Sequence, residues 1–232
     1  MDMLNLKNKW VLLTGASRGI GRQVATALAQ KGCRLILHSR SLRHTETLAL
    51  ELQRLGTDVH PIEAELSDQK QVLLLAKEAQ RISGGIDILY NNAAVMIPYH
   101  EDFYALSKDE FDLNFQVNTI APITLCNSAI PGMIQRRFGR IVNVTSGIRN
   151  QPQLMPYAAS KAALDKYVFD MASSLKGTGV IMNLLDPGWL RTDLGGPHAP
   201  NPVESVLPGA LVPVLLEEDT CGNIFRAQDY RR

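Results

Sequence analysis

Apolar residues recur along this chain in two alternating rhythms. Short unbroken runs such as Trp10-Val11-Leu12-Leu13 read as buried strands, and stretches with apolar positions three and four apart read as helices. Strands are predicted over 10–13, 35–37, 59–62, 86–90, 140–144 and 180–185, with a short one near Ile224. Pro61 lies inside the third of these and removes a ladder donor there. Helices are predicted over 20–28, over 42–55, and from a Ser67 cap to about 82. Ser107-Lys108-Asp109-Glu110 has the spacing of a capping box and opens a long helix that runs through 111–133. Two more helices follow, over 157–175 and 203–217.

Repeated strand–helix alternation predicts an α/β fold: a doubly wound, Rossmann-like parallel sheet with helices on both faces. No linker, repeat or low-complexity segment divides it, so residues 1–232 read as a single domain.

Composition narrows the setting. The chain has 232 residues and a formal net charge of +1, which gives no electrostatic reason to expect nucleic acid or an acidic membrane as partner. It contains no apolar run long enough to span a bilayer, and its first residues lack a signal peptide's apolar stretch. Cys33, Cys126 and Cys221 are widely spaced and odd in number, as expected of thiols in a reducing cytoplasm, and neither they nor the five histidines have metal-site spacing.

The chemistry begins at Thr14-Gly15-Ala16-Ser17-Arg18-Gly19-Ile20-Gly21, a G-x-x-x-G-x-G turn between the first strand and first helix. Glycines let backbone approach a bulky anion, and the helix N-terminus offers unpaired N–H groups. Gly15, Ser17, Arg18, Gly19, Ile20 and Gly21 are therefore the candidate pyrophosphate-binding set. No Lys follows Gly21, which disfavours a nucleotide-hydrolase loop. At the end of the second strand, 24 positions after Gly15, stand Ser39 and Arg40 in place of the acid that holds an NAD ribose. A guanidinium there can pair with a 2′-phosphate, and Arg18 could reach the same group, so NADP(H) is expected over NAD(H).

Tyr157-Ala158-Ala159-Ser160-Lys161 puts a phenol and an amine on one helix face. Tyr104 and Lys108 share that spacing but straddle a helix start. Tyr157 instead follows the fifth strand, whose end offers Thr145 and Ser146 at the sheet edge where open α/β sheets bind ligands.

With these segments, Asp87 to Ala94, Asn118, Arg140 to Ser146, and Pro187-Gly188-Trp189-Leu190-Arg191-Thr192, the chain resembles the short-chain dehydrogenases/reductases over essentially its whole length. The resemblance implies a tetrad of Asn118, Ser146, Tyr157 and Lys161. It implies cofactor contacts at Asn92 and Ala93, and at Pro187, Gly188, Leu190 and Thr192 around the nicotinamide. Tyr157 and Lys161 also face the cofactor. It further implies a homodimer or homotetramer paired through the helices over 111–133 and 157–175. A nearby ammonium should lower the Tyr157 pKa and make it a usable acid or base. Ser146 should steady charge on the substrate oxygen. Pro122, four residues after Asn118, cannot donate to the Asn118 carbonyl and should kink the helix; the kink either only fits the helix to the sheet's curvature or, as the resemblance implies, frees that carbonyl for a water in a proton path.

Departures from the family pattern are Ala94 where Gly is usual, Glu65 beside Leu66 where an Asp commonly meets the adenine, and a short segment after Thr192. That short segment suggests an open pocket for bulky carbonyls. The expected activity is NADP(H)-dependent interconversion of a small-molecule carbonyl and its alcohol in the cytoplasm. A non-catalytic dinucleotide-sensing protein would keep the glycines and could lose the tetrad, and a Rossmann-like methyltransferase would bind S-adenosylmethionine.

Overall fold

A computed structural model describes residues 4–217 and 220–231. The first three residues of the stretch read for a leader lie outside that range. Seven strands form one parallel sheet in the order β3-β2-β1-β4-β5-β6-β7. They are β1 (Trp10–Thr14), β2 (Arg34–Ser39), β3 (Val59–Glu63), β4 (Ile88–Asn91), β5 (Gly139–Val144), β6 (Val180–Asp186) and β7 (Ile224–Arg226). The chain winds outward from β1 to β3, then crosses back to β4 on the other side of β1. That reversal opens the crevice where such sheets bind ligands.

Alternation along each strand sends side chains to two cores. Val11, Leu13, Ile88 and Tyr90 face α1 (Gly19–Gln30) and α2 (Glu46–Arg54). Leu12 and Leu89 face α3 (Gln69–Ser83), α5 (Ala121–Gln135) and α6 (Met155–Leu175), while α4 (Lys108–Phe115) packs against α6. Pro61 is tolerated because β3 is the sheet's edge.

The structure corrects four predicted elements. The helix over 42–55 begins as a 3-10 turn at Leu42–His44 before α2. The cap of α3 is Asp68, not Ser67: its carboxylate accepts from the N–H groups of Lys70 and Gln71. The long helix after the Ser107 box is interrupted at Gln116–Ile120 by a π-turn, in which the Ala121 N–H reaches back five residues to the Gln116 carbonyl. Pro122 has no N–H to give the Asn118 carbonyl, and the wider turn accommodates that gap. Finally, 203–217 is not one helix. Pro208 and Pro213 remove the donors, and the segment breaks into 3-10 turns and the single helical turn α7 (Val212–Leu215). No helix among the described residues is long and apolar enough to cross a membrane.

Candidate functional site

The glycine turn joins β1 to α1 without slack. Gly15 has φ +66°, and a Cβ there would meet the Ala93 backbone at 2.8 Å. A Cβ on Gly21 would lie 2.0 Å from the Gly15 carbonyl. Thr14 Oγ1 accepts from the N–H groups of Asn92 (3.0 Å) and Ala93 (3.1 Å), while Asn92 Nδ2 donates to the carbonyls of Thr14 and Gly15, each at 3.0 Å. Asn92 thus braces the turn from beneath. Among the described residues α1 has no side-chain cap, so its first N–H groups are left for an anion. With Ser17 and Ile20 half-buried on the turn, these features form a glycine cradle that fits a dinucleotide pyrophosphate.

The adenosine side differs from expectation at two residues. Ser39 is turned inward, its Oγ donating to the Ser41 carbonyl at 2.7 Å and meeting Thr45 Oγ1 at 3.3 Å. Arg18 does not lie with Arg40. Its guanidinium pairs with Asp193 at 2.8 Å, tying the glycine turn to the loop after β6. Arg40 remains exposed at the end of β2. The Glu65 carboxylate accepts from the Ser67 N–H at 3.1 Å, and Leu66 is buried in the core.

His38, one residue past the strand predicted over 35–37 and without a motif of its own, proves to be part of this wall. Its ring is 1% exposed, with Nδ1 3.3 Å from the Gly15 N–H and Nε2 3.0 Å from the Ala64 carbonyl.

The tetrad side chains converge at the carboxyl ends of β4 and β5. Tyr157 and Lys161 lie one turn apart on α6, both buried. The Ser146 side chain lies beside the Tyr157 hydroxyl, where it acts to lower the phenol pKa. Lys161 Nζ donates to the Val144 carbonyl at 2.7 Å and sits 6.0 Å from the centre of the Tyr157 ring. Asn118, carried by the π-turn, is fully buried. Its Oδ1 accepts from the Val95 N–H at 2.9 Å, and its Nδ2 donates to the Val95 carbonyl at 2.8 Å and to Ser160 Oγ at 3.0 Å.

The electrostatics depart from the sequence reading. Burial pushes the Tyr157 phenol up, the neighbouring Ser146 side chain opposes it, and the Asp186 carboxylate adds to the rise. Burial also lowers Lys161 to about 8, against the attraction of Asp165 one turn further along α6. The expected lowering of the phenol is therefore not seen: desolvation outweighs a neighbour whose proton is directed at Val144. Asp165 is itself pushed up by burial. Asp186 gave no signal beyond its place before Pro187-Gly188.

On the last wall, Gly188 has φ +78° and gives its N–H to Asp186 Oδ1 at 2.9 Å, while the Pro187 carbonyl accepts from Gln228 at 2.7 Å. Leu190 is buried, and Thr192 Oγ1 accepts from the Gly195 N–H at 3.0 Å. The short segment beyond is braced on itself. Arg191 Nη1 donates to the carbonyls of Ala199 and Pro200, both at 3.1 Å, and Trp189 Nε1 donates to the Gly195 carbonyl at 2.7 Å. Trp189 nevertheless leaves 59% of its surface to solvent.

A family model described as short chain dehydrogenase matches residues 9–202. "Uncharacterized oxidoreductase YvrD" of Bacillus subtilis is 33% identical over 187 residues, 80% of this chain and 70% of that protein. The human "Inactive hydroxysteroid dehydrogenase-like protein 1" is 30% identical over 201 residues, 84% of this chain but only 60% of its own length. Among solved structures, a 3-oxoacyl (acyl-carrier-protein) reductase from Agrobacterium tumefaciens C58 with NADP bound superposes with a TM-score of 0.85. It is 26% identical, and the match covers 96% of this chain and 93% of that one.

Proposed function

The chain belongs to the short-chain dehydrogenase/reductase family, and from that membership we propose that it is an NADP(H)-dependent oxidoreductase interconverting a ketone or aldehyde and its alcohol. The observation that carries the reading is the burial of Tyr157 and Lys161 one turn apart on α6, with Lys161 Nζ held on the Val144 carbonyl at 2.7 Å and the Ser146 side chain beside the phenol. When bound, the dinucleotide supplies or accepts the hydride. Tyr157 gives its phenolic proton to the carbonyl oxygen as that oxygen becomes a hydroxyl, and takes one back in alcohol oxidation. Ser146 donates to the same oxygen and steadies the charge that develops on it. A phenol held above its ordinary range keeps its proton at neutral pH, which suits donation and hence reduction.

Lys161, anchored on Val144, holds positive charge behind the phenol and is placed to bind the nicotinamide ribose. Gly15, Gly19 and Gly21 with the start of α1 take the pyrophosphate. Arg40 takes the 2′-phosphate, and the choice of NADP(H) over NAD(H) rests on it. Leu190 and Thr192 flank the nicotinamide. Pairing of two or four copies through α4–α5 and α6 in the cytoplasm completes the reading, and light scattering of the purified protein tests the pairing.

The experiment is a screen of ketones, aldehydes and alcohols with NADPH or NADP, run on the wild-type protein and on Tyr157→Phe. Turnover that collapses in the variant supports the reading, and turnover that persists overturns the role of Tyr157. The human relative's name makes a non-catalytic dinucleotide binder the second reading. Tight NADPH binding with no turnover across the panel would favour it.

A further inference from the structure

His38 occupies an unusual place for a titratable side chain. It lies near the end of β2, between Thr14 of β1 and Ile62 of β3 in the sheet register, and is 1% exposed. The Ala64 carbonyl, 3.0 Å from Nε2, can only accept, so the ring proton must be on Nε2. Nδ1 is then bare and accepts from the Gly15 N–H at 3.3 Å. The two neighbouring loops are further drawn to β2 by its backbone: the Ala16 N–H donates to the His38 carbonyl at 3.0 Å, and the Ala64 N–H to the Ser39 carbonyl at 3.1 Å. One neutral imidazole therefore spans the top of β2. It joins the first residue of the phosphate turn to the residue that opens the Glu65–Leu66 segment.

We propose that His38 is a positioning residue for the cofactor: as the neutral Nε2–H tautomer it is a strut that fixes the distance between the glycine turn and the segment after β3, and so sets the adenosine half of the cleft. The proposal rests on the dinucleotide reading above. Gly15 has little room to shift, because its carbonyl is held by Asn92 Nδ2 at 3.0 Å and even a Cβ there would meet the Ala93 backbone at 2.8 Å. An orphaned Gly15 N–H would also stand buried against an apolar replacement.

The strut is sensitive to protonation. A second proton on Nδ1 would confront the Gly15 N–H with another donor. Around the ring, β1 presents the Gly15 N–H, the chain after β3 presents the Ala64 carbonyl, and the Glu65 carboxylate favours the charged form. Burial opposes that charge more strongly and holds the ring below the ordinary histidine range. The strut is thus intact at neutral pH and is lost as pH falls through that lowered value.

The test is NADPH affinity, by fluorescence titration from about pH 5.5 to 8, for wild type, His38→Asn and His38→Leu. Asparagine can place an oxygen near the position of Nδ1 without titrating. Near pH 7.5, His38→Leu is expected to weaken binding about ten-fold, and His38→Asn to stay within about three-fold of wild type. The ratio of wild-type to His38→Asn dissociation constants, which cancels titration of the nucleotide phosphate, should stay flat from about pH 8 down through the ordinary histidine value of 6.5, and any rise comes below it. Equal affinity of His38→Leu and wild type, or a ratio that already rises above pH 6.5, overturns the proposal.

If His38→Leu does not fold, the ratio still decides. If wild type binds neither NADPH nor NADH, the cofactor reading fails by itself. The strut is then judged by nitrogen-15 NMR of the dinucleotide-free protein, where a bare Nδ1 near pH 7.5 supports it and a proton on Nδ1 overturns it.

Discussion

Lys161 gives its Nζ to the Val144 carbonyl at 2.7 Å, so the ammonium is pinned to the strand end from which Ser146 follows two residues later. The anchor fixes direction but does not fully compensate for burial, which lowers the amine to about 8. Below that pH both the folded and the unfolded chain carry the charge, and the folded one bears its desolvation. Between about 8 and the ordinary lysine value the unfolded chain binds more protons, so wild-type stability rises with pH. Lys161→Met should therefore melt higher than wild type at neutral pH, by an amount on the order of 1–3 kcal/mol, less whatever the Val144 bond contributes. The gap should narrow above about pH 8, while turnover is lost. Thermal melts of both proteins across pH check this, and a gap that does not narrow contradicts it.

Tyr157→Phe removes the proton donor and leaves the ring. Turnover should fall about 10²- to 10⁴-fold with NADPH affinity nearly unchanged. Because burial and Asp186 raise the phenol, wild-type alcohol oxidation should climb with pH into the alkaline range, and carbonyl reduction should hold at neutral pH and fall as the phenol ionises. Profiles of kcat/KM in both directions give the measurement.

Gly21→Ala tests the glycine turn by volume alone. The added methyl would sit 2.0 Å from the Gly15 carbonyl, which is backbone and cannot rotate away. A loss of stability of about 1–3 kcal/mol is expected, with NADPH binding abolished. Calorimetry beside a binding titration would show both.

Arg40→Ala should weaken NADPH at least ten-fold and leave NADH nearly unchanged, because only the former carries the 2′-phosphate. Asp193→Asn releases Arg18 from its exposed ion pair. Such a pair is worth at most about 1 kcal/mol, so NADPH affinity should gain no more than a few-fold, and less at high salt. Binding isotherms at two ionic strengths separate the two arginines.

Local patterns carried much of this into the sequence. Apolar runs mark β1 and β2 without a break, and β5 and β6 with one interruption each, at Asn143 and Asn183, while the glycine spacing places the phosphate turn. Tyr157 and Lys161 are legible because helix geometry puts them on one face and they follow the end of the fifth strand, which the equally spaced Tyr104 and Lys108 do not. What the sequence hides depends on neighbours distant along the chain. Arg18 is claimed by Asp193, Ser39 by Ser41 and Thr45, and His38, just past the predicted strand over 35–37, shows no role until Gly15 and Ala64 close around it. The breaks at Pro208 and Pro213 could have been read, but apolar periodicity over 203–217 masks them.

The segment from Asn92 to Val95 is fastened at one end to Thr14 and at the other to Asn118. It is a tie-bar with no free end, bolted between the wall that would take the pyrophosphate and the helix beside the reacting phenol. Its two anchorages lie within four residues of each other, so the hydrogen bonds at Thr14 and at Asn118 fix the spacing of the two halves of the cleft through one short stretch of backbone.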